Sequence, residues 1–357
     1  MTFRSIMNQL PLPYSPASSL AEIASELGIP QEDILKLDAG ENAYLPPLKI
    51  DWVAVTKQLA FYPDASCLEL RTALAQELDL DRDMLVIGNG SDELIDLVCR
   101  LFLESGKTLV EFSPTFPMYR LFGIVTGATI LNIPRAADFT LNLQNSIDAV
   151  AKADLVFLAN PNNPTGTLIS NATISKLLAT GTPVVVDEAY FEFAGQSSLP
   201  LLQKYPNLII LRTFSKWAGM AGLRVGYLIA NPLVIKALSQ IKAPYSVNII
   251  GQKVALIAVA NRAKIMCQVA KQISARDWFI NEVNKVSGWQ AVPSRASCIT
   301  LLPSCMSATT AAQEFRKRGI LVKTLNLVGI ADAIRINTAP KSILTKVLRV
   351  ISTMKGC

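Results

Sequence analysis

From Leu85 to Ala230 the chain alternates seven short apolar runs with amphipathic stretches, and this alternation restricts the fold more than any other feature of the sequence. The runs are Leu85–Ile87, Thr108–Phe112, Thr129–Ile133, Leu155–Ala159, Pro183–Val186, Leu208–Arg212 and Val225–Ala230. Helix-like segments lie between many of them: Ser91–Leu103, Phe116–Thr126, Leu143–Val150 and Asn171–Ala179. Strand and helix in turn predict an α/β domain around a largely parallel sheet. The tail has another rhythm. Long helices are expected at Val247–Ala260 and Arg262–Val286, then a strand at Cys298–Leu302 and a helix over Ser307–Arg318 with Ser307 as N-cap. Short strands at Ile320–Thr324 and Ala333–Asn337 and a last helix near Lys341–Met354 complete an α+β block. The expected division is an N-terminal arm (1–44) packing with the tail, a large domain (45–250) and a small domain (251–357).

Half of the 357 residues are hydrophobic and 17% are charged, which suits a large core and excludes a disordered chain. The net charge of +6 is mild, and the densest basic cluster, Arg316-Lys317-Arg318, reads as the polar end of a helix, so no nucleic-acid surface is expected. The chain has no histidine, so neither a Ser-His-Asp triad nor a Cys-His pair can be built. Any general base must be Lys, Asp, Glu, Tyr or Cys. The six cysteines form no CxxC pair; a zinc site is not expected, and all six read as free thiols of a reducing compartment. The first residues, MTFRSIMNQLPLPYSP, carry no long apolar core, and no apolar stretch matches a bilayer, so no membrane association and a cytoplasmic location are expected.

Chemistry concentrates in the polar strings that follow the apolar runs. After Leu208–Arg212 comes Thr213-Phe-Ser-Lys216-Trp-Ala-Gly-Met-Ala-Gly-Leu-Arg224-Val-Gly-Tyr227. It could be an ordinary polar loop with a solvated lysine. Alternatively Lys216 forms a Schiff base while Thr213, Ser215 and Arg224 hold a phosphate, since hydroxyls and a guanidinium are the groups a phosphate dianion needs. The other strings favour that second reading. Val184-Val-Val-Asp187-Glu-Ala-Tyr190 delivers a carboxylate at the C-terminal end of a buried strand, where open α/β sheets bind ligands. Asp187 there would pair with a pyridine nitrogen and keep it protonated, with Tyr190 on the ring's phenolic oxygen. Ala159-Asn-Pro-Asn-Asn163-Pro-Thr-Gly166 is a proline-enforced turn that could aim Asn163 at the same oxygen. Gly88-Asn-Gly90-Ser91-Asp92-Glu93 joins a strand to a helix; Ser91 is the expected N-cap, and the free N–H groups there suit an anion. In Pro114-Thr-Phe116-Pro-Met-Tyr119, Phe116 is a core aromatic or a stacking partner for a planar ring.

Together these strings resemble pyridoxal-phosphate (PLP)-dependent aminotransferases of fold type I, and within them the histidinol-phosphate aminotransferase family, from about Leu37 to Asn337. The resemblance implies a large domain with a mostly parallel seven-stranded sheet and a smaller α+β domain. It implies that Lys216 carries the cofactor and moves the proton. Asp187 pairs with the pyridine nitrogen, Asn163 and Tyr190 bind the phenolic oxygen, and Phe116 stacks on the ring. Gly90, Ser91, Asp92, Thr213, Ser215 and Arg224 surround the phosphate. Tyr62, in Phe61-Tyr62-Pro63-Asp64, matches a tyrosine that reaches the neighbouring subunit's cofactor, which implies a homodimer with shared sites. Arg335 matches an arginine that binds the substrate's anionic group.

Three departures fall where substrate is recognised: Leu37-Asp-Ala-Gly-Glu41-Asn42-Ala-Tyr44 in place of an Asn-rich string, Lys323 where many members have a second arginine, and Thr338-Ala339 after Arg335. Asn42, Lys323 and Arg335 are therefore the expected substrate contacts. The implied partners are an amino-acid or amino-phosphate donor and a 2-oxo acid acceptor. Histidinol phosphate with 2-oxoglutarate is the first expectation, an aromatic amino-acid aminotransferase or a threonine-phosphate decarboxylase the alternatives. A catalytically silent regulatory module is a fourth reading, which the absence of a basic recognition helix disfavours.

Overall fold

The computed structural model describes residues 19–44 and 46–354, the side chain of Ala331 excepted. The first 16 residues, weighed above as a leader, lie outside them, as does Cys357.

In chain order the strands are β1 (Leu35–Lys36), β2 (Leu85–Asn89), β3 (Thr108–Ser113), β4 (Thr129–Pro134), β5 (Leu155–Ala159), β6 (Val184–Asp187), β7 (Leu208–Thr213), β8 (Val225–Ile229), β9 (Trp289–Ala291), β10 (Cys298–Pro303), β11 (Ile320–Leu321), β12 (Lys323–Leu327) and β13 (Ile330–Asn337). All seven apolar runs of the middle region enter one sheet, in the order β2-β8-β7-β6-β5-β3-β4. Neighbours are parallel except that β8 runs antiparallel to both β2 and β7. Side chains alternate between two cores. Val184 and Val186 of β6 join Ile87, Val110, Leu158 and Ile210 on one face. Val185 joins Val86, Phe157, Ile209 and Leu228 on the other. Helices cover both faces, so the inner strands β5, β6 and β7 are buried throughout, while the edge strand β4 is partly exposed.

The parallel arrangement brings the ends of β3, β5, β6 and β7 to one edge. Asp187 and Thr213 are the last residues of β6 and β7, and Asn160 follows β5. The polar strings of the sequence thereby meet at the carboxyl edge of the sheet.

The tail forms an antiparallel sheet, β12-β13-β10-β9, with its own core of Phe279, Ile299, Phe315, Ile334 and Val347. The long helix Arg262–Val283 joins the two cores: Ile265 and Val269 pack in the large one, Phe279 and Val283 in the small one. β1 pairs in parallel with β11, so the N-terminal segment is attached to the tail.

Several local expectations are corrected. The strand foreseen over 320–324 is two strands, β11 and β12, broken at Val322. Trp289–Ala291 forms a strand and Leu68–Leu78, Trp52–Thr56 and Pro232–Ile241 form helices that were not foreseen; the first of these helices is weakly amphipathic and the second short. Ser307 caps the helix Ala308–Arg316 by accepting from Thr310 N. Cys67, Cys99, Cys267 and Cys298 are free thiols, but Cys305 is disulfide-bonded, which spacing alone does not reveal. No helix among the described residues is long and apolar enough to cross a membrane.

Candidate active site

A 540 Å³ cavity opens at the carboxyl edge of the large sheet. One end is built for an anion. The helix Gly90–Phe102 starts here, and Ser91 and Asp92 line the cavity with Thr213, Ser215 and Arg224. Ser91 is not the N-cap, as its position in the string suggested. The helix begins one residue earlier, Asn89 is the N-cap, and no side chain bonds to the first N–H groups. Those donors and the positive end of the helix dipole remain open to a ligand. Gly90 sits at φ +77, and a Cβ there would lie 2.5 Å from Arg224 Nη2. Only glycine lets the guanidinium this close to the helix start. Arg224 is itself in the left-handed region at φ 55, and its Nη2 donates to Asp92 Oδ2 at 3.0 Å. Thr213 Oγ1 lies 3.0 Å from Ser215 Oγ and accepts from Ser215 N at 3.1 Å, so both hydroxyls are fixed.

The other end is built for a cation on a flat ring. Asp187 is buried at the tip of β6. Its Oδ2 accepts from Tyr119 Oη at 2.5 Å and its Oδ1 from Ala189 N at 2.9 Å. Burial nevertheless pushes the carboxyl up to about 6, against the lowering effect of the tyrosine. A buried anion with only neutral donors around it is a place prepared for a cation. Tyr119 was quoted in the string Pro114–Tyr119 but given no role; its position three residues after Phe116, on one face of the helical turn, was the available signal. Its ring stacks on Phe157 at 4.6 Å, while Phe116 meets it edge-on at 5.5 Å and lines the cavity.

Asn163 and Tyr190 line the cavity beside this end. The loop that carries Asn163 is held by buried Asn162, whose Nδ2 donates to Pro114 O at 2.9 Å and to Thr165 Oγ1 at 2.8 Å. Arg335 Nη1 donates to Asn163 Oδ1 at 3.0 Å, and its Nη2 to Asp38 O at 2.7 Å. The Nε of Arg335 is buried without a partner.

Lys216 lies between the two ends. Its Nζ donates to Gly40 O at 2.8 Å, and burial, then the Arg335 cation, lowers the amine to about 8. Gly40 has φ +72, and a Cβ there would lie 3.0 Å from the amine. Asn42, expected at the substrate, is turned elsewhere: its Nδ2 donates to Lys216 O at 2.9 Å and its Oδ1 accepts from Tyr44 N. An amide with two bonds to backbone fixes the lysine's loop and does not face the cavity. Glu41, which the sequence reading passed over, lines it instead and pairs with Lys36 at 2.5 Å.

Tyr62, Lys323 and Arg335 do not line the cavity either. Tyr62 is 82% exposed and stacks on Tyr245 at 4.6 Å. Lys323 is the direct cross-strand partner of Arg335, with Thr300 opposite Arg335 on its other side. Direct partners share a face, so Lys323 stands beside the arginine that bonds to the cavity-lining Asn163.

An anion cradle, a carboxylate that wants a cation and a lysine of lowered pKa between them match PLP, with its phosphate, pyridine nitrogen and aldehyde. Comparison with known proteins decides the matter: residues 32–351 match the family described as Aminotransferase class I and II. The chain is a class I and II aminotransferase. It is 38% identical over 336 residues to the histidinol-phosphate aminotransferase of Roseiflexus castenholzii, covering 91% of each chain. It is 37% identical over 333 residues to that of Dehalococcoides mccartyi, covering 93% of each. The histidinol-phosphate aminotransferase structure from Sinorhizobium meliloti, solved with pyridoxal-5'-phosphate, superposes with a TM-score of 0.85 at 25% identity, over 99% of this chain and 98% of that one. The aminotransferase therefore uses PLP. When bound, the cofactor supplies the electrophilic carbon and the electron sink that a side chain cannot provide.

Proposed function

We propose that this aminotransferase moves the amino group of histidinol phosphate to 2-oxoglutarate. The observation that carries the substrate assignment is the pairing of Lys323 on β12 with Arg335 on β13, the arginine that bonds to the cavity-lining Asn163. Two cations on one face suit a phosphomonoester dianion better than a neutral aromatic side chain. The similarity to histidinol-phosphate aminotransferases over nine-tenths of both chains supports it.

In this reading each side chain has one task. Ser91, Thr213, Ser215 and Arg224, with the N–H groups after Asn89, hold the phosphate of PLP. Asp187 holds a proton on the pyridine nitrogen, and Tyr119 and Ala189 N orient that carboxylate. Asn163 Oδ1 is occupied by Arg335, so its Nδ2 is the end that remains to donate to the phenolic oxygen, with Tyr190 Oη beside it. Lys216 Nζ takes the proton from the donor's Cα. Held near 8, its amine has an uncharged fraction at neutral pH. Arg335 and Lys323 place the substrate's anionic end.

Tyr62 belongs to a homodimer in this reading. It is exposed beside Phe61 in the chain and stacks on exposed Tyr245, and a second copy covering these rings would receive Tyr62 at its own phosphate site. A cytoplasmic location is part of the same reading; the four free thiols support it and the disulfide of Cys305 does not.

The test is a half-reaction titration of the PLP-loaded enzyme with histidinol phosphate, L-phenylalanine and L-glutamate, following the cofactor's visible absorption. Fast loss with histidinol phosphate and glutamate, slow loss with phenylalanine, and a rise of about 10-fold in the histidinol-phosphate KM in Lys323→Ala support the proposal. Preference for phenylalanine, or carbon dioxide as a product, replaces it with an aromatic aminotransferase or a decarboxylase.

A further inference from the structure

Behind the cavity, on the opposite face of the sheet, lies an ion pair that the chemistry above does not use. Glu188 and Arg212 are 1% and 2% exposed. Arg212 Nε and Nη2 both donate to Glu188 Oε2, at 3.0 and 2.9 Å. Ser197 Oγ donates to the same oxygen at 2.8 Å and accepts from Arg212 Nη2 at 2.7 Å. Ser198 N donates to Glu188 Oε1 at 2.5 Å. The guanidinium also lies over the ring of Phe191, 3.8 Å from its centroid.

The position of the pair in the chain is informative. Glu188 follows Asp187 and comes two residues before Tyr190; Arg212 directly precedes Thr213 and stands four residues before Lys216. Strands β6 and β7 are parallel neighbours with Asp187 opposite Leu211, and Glu188 N donates to Leu211 O at 2.8 Å just beyond the ladder. The pair thus spans the two strand ends that carry opposite ends of the cofactor cradle. Side chains alternate across a strand, so Asp187 faces the cavity while Glu188 faces away from it.

Burying two charges costs more than their attraction returns in many proteins, and apolar replacements of similar volume are often neutral or stabilising. Stability alone therefore gives no reason to keep charge here. A forked ion pair does something an apolar contact does not: it fixes distance and angle between two segments.

We propose that Glu188 and Arg212 are positioning residues that hold the ring-binding end of β6 in fixed register with the phosphate- and lysine-bearing end of β7. The inference rests on PLP as cofactor and not on which donor is used. Slackening the pair lets Asp187 and Tyr190 move relative to Thr213, Ser215 and Lys216, and the cofactor then satisfies one end of its cradle at the expense of the other.

The test uses the purified full-length enzyme and two variants, Arg212→Lys, which keeps the charge but loses the fork, and the apolar double substitution Glu188→Leu/Arg212→Met. Four quantities are read: the Tm of the apoprotein, the rate of PLP loss, the pH midpoint of the cofactor's visible band, and kcat against KM for L-glutamate in amino-group exchange with isotopically labelled 2-oxoglutarate. The expected result in both variants is PLP loss accelerated about 10-fold or more, a shifted pH midpoint and kcat reduced about 10-fold or more with KM changed less than threefold, while the apoprotein Tm of the double variant stays near that of the parent. If the double variant does not fold, Arg212→Lys carries the test with the same expectations. Variants with parental PLP loss, band midpoint and kcat, whatever their Tm, overturn the inference and leave the pair a purely structural feature. A parent enzyme that binds PLP but does not react with histidinol phosphate sinks the substrate proposal alone, because none of the four readouts uses that donor.

Discussion

Arg335 on β13 of the four-stranded sheet donates through Nη1 to Asn163 Oδ1, in the loop after β5 of the seven-stranded sheet, at 3.0 Å and across 172 residues of sequence. One guanidinium thereby orients the cavity-lining Asn163, reaches back to Asp38 O, and stands beside Lys323 on β12. An anion that draws Arg335 toward itself therefore also acts on Asn163.

A second contact joins the same surfaces. Thr300, opposite Arg335 on β10, donates from Oγ1 to Pro164 O at 2.7 Å and is fully buried. Thr300→Val should leave that carbonyl with only the weak Cys298 Sγ donor at 3.7 Å and destabilise the protein by about 1–3 kcal/mol, while Thr300→Ser should lose much less. Denaturant unfolding of the three proteins measures this. Equal stability of Val and Ser variants would show that the bond does not join the domains.

Asp187 sets a conflict between stability and function. Burial raises its carboxyl from 3.8 to about 6, so between those pH values the native apoprotein holds a proton that the unfolded chain has lost. Apoprotein stability contributed by this group falls as pH rises through that window, and the full penalty stands above about pH 6. Asp187→Asn should therefore raise the apoprotein Tm at pH 7.5 but not at pH 4. It should also weaken PLP binding and reduce kcat by about 100-fold or more, as removal of a preorganised charge does. Scanning calorimetry at both pH values decides; an apoprotein Tm unaltered at pH 7.5 counts against the account.

The Lys216 amine is lowered to about 8, first by burial and then by the Arg335 cation. Between about pH 8 and 10.5 the unfolded chain binds a proton that the native amine has released, so this group's contribution to stability rises with pH across that window. Arg335→Gln removes the nearby cation and should move the amine's midpoint upward. Reductive methylation of the apoprotein at graded pH reports that midpoint directly. A midpoint that stays or falls would show that Arg335 does not act on the lysine through its charge.

Tyr62 tests the dimer. Hybrid dimers of a Tyr62→Phe subunit and a Lys216→Ala subunit should contain one intact site if Tyr62 serves the partner's cofactor. Random mixing then restores about a quarter of the parental activity from two weak or inactive variants. Mixing that restores nothing would place Tyr62 in its own subunit's site or in none.

Much of the fold was legible because its signals are local. Each of the seven middle strands was visible as an apolar run, since both faces of a helix-covered sheet need apolar side chains. Ten of the twelve expected cofactor residues line one cavity, because their strings follow strands that end at one edge. Gly90 lies against that cavity through Arg224, and Tyr62 lies apart from it. The misplaced residues show where local signals stop. Ser91 looked like an N-cap, but helix starts are decided to within a residue by tertiary contacts. Asn42 looked like a substrate ligand, but its amide is held by the backbone of Lys216, 174 residues away.

The sequence by itself determined the order of strands and helices, the polar strings at the strand ends, and the lysine, carboxylate and hydroxyls suited to PLP. Alternation and turn chemistry are properties of neighbouring residues. Only the tertiary structure decided that Tyr119 orients Asp187, that Arg335 holds Asn163, and that Glu188 grips Arg212 behind the cavity. Those pairs are 68, 172 and 24 residues apart in the chain. No local propensity encodes them; they exist because a mostly parallel sheet and a second sheet packed beside it bring distant side chains within hydrogen-bond reach.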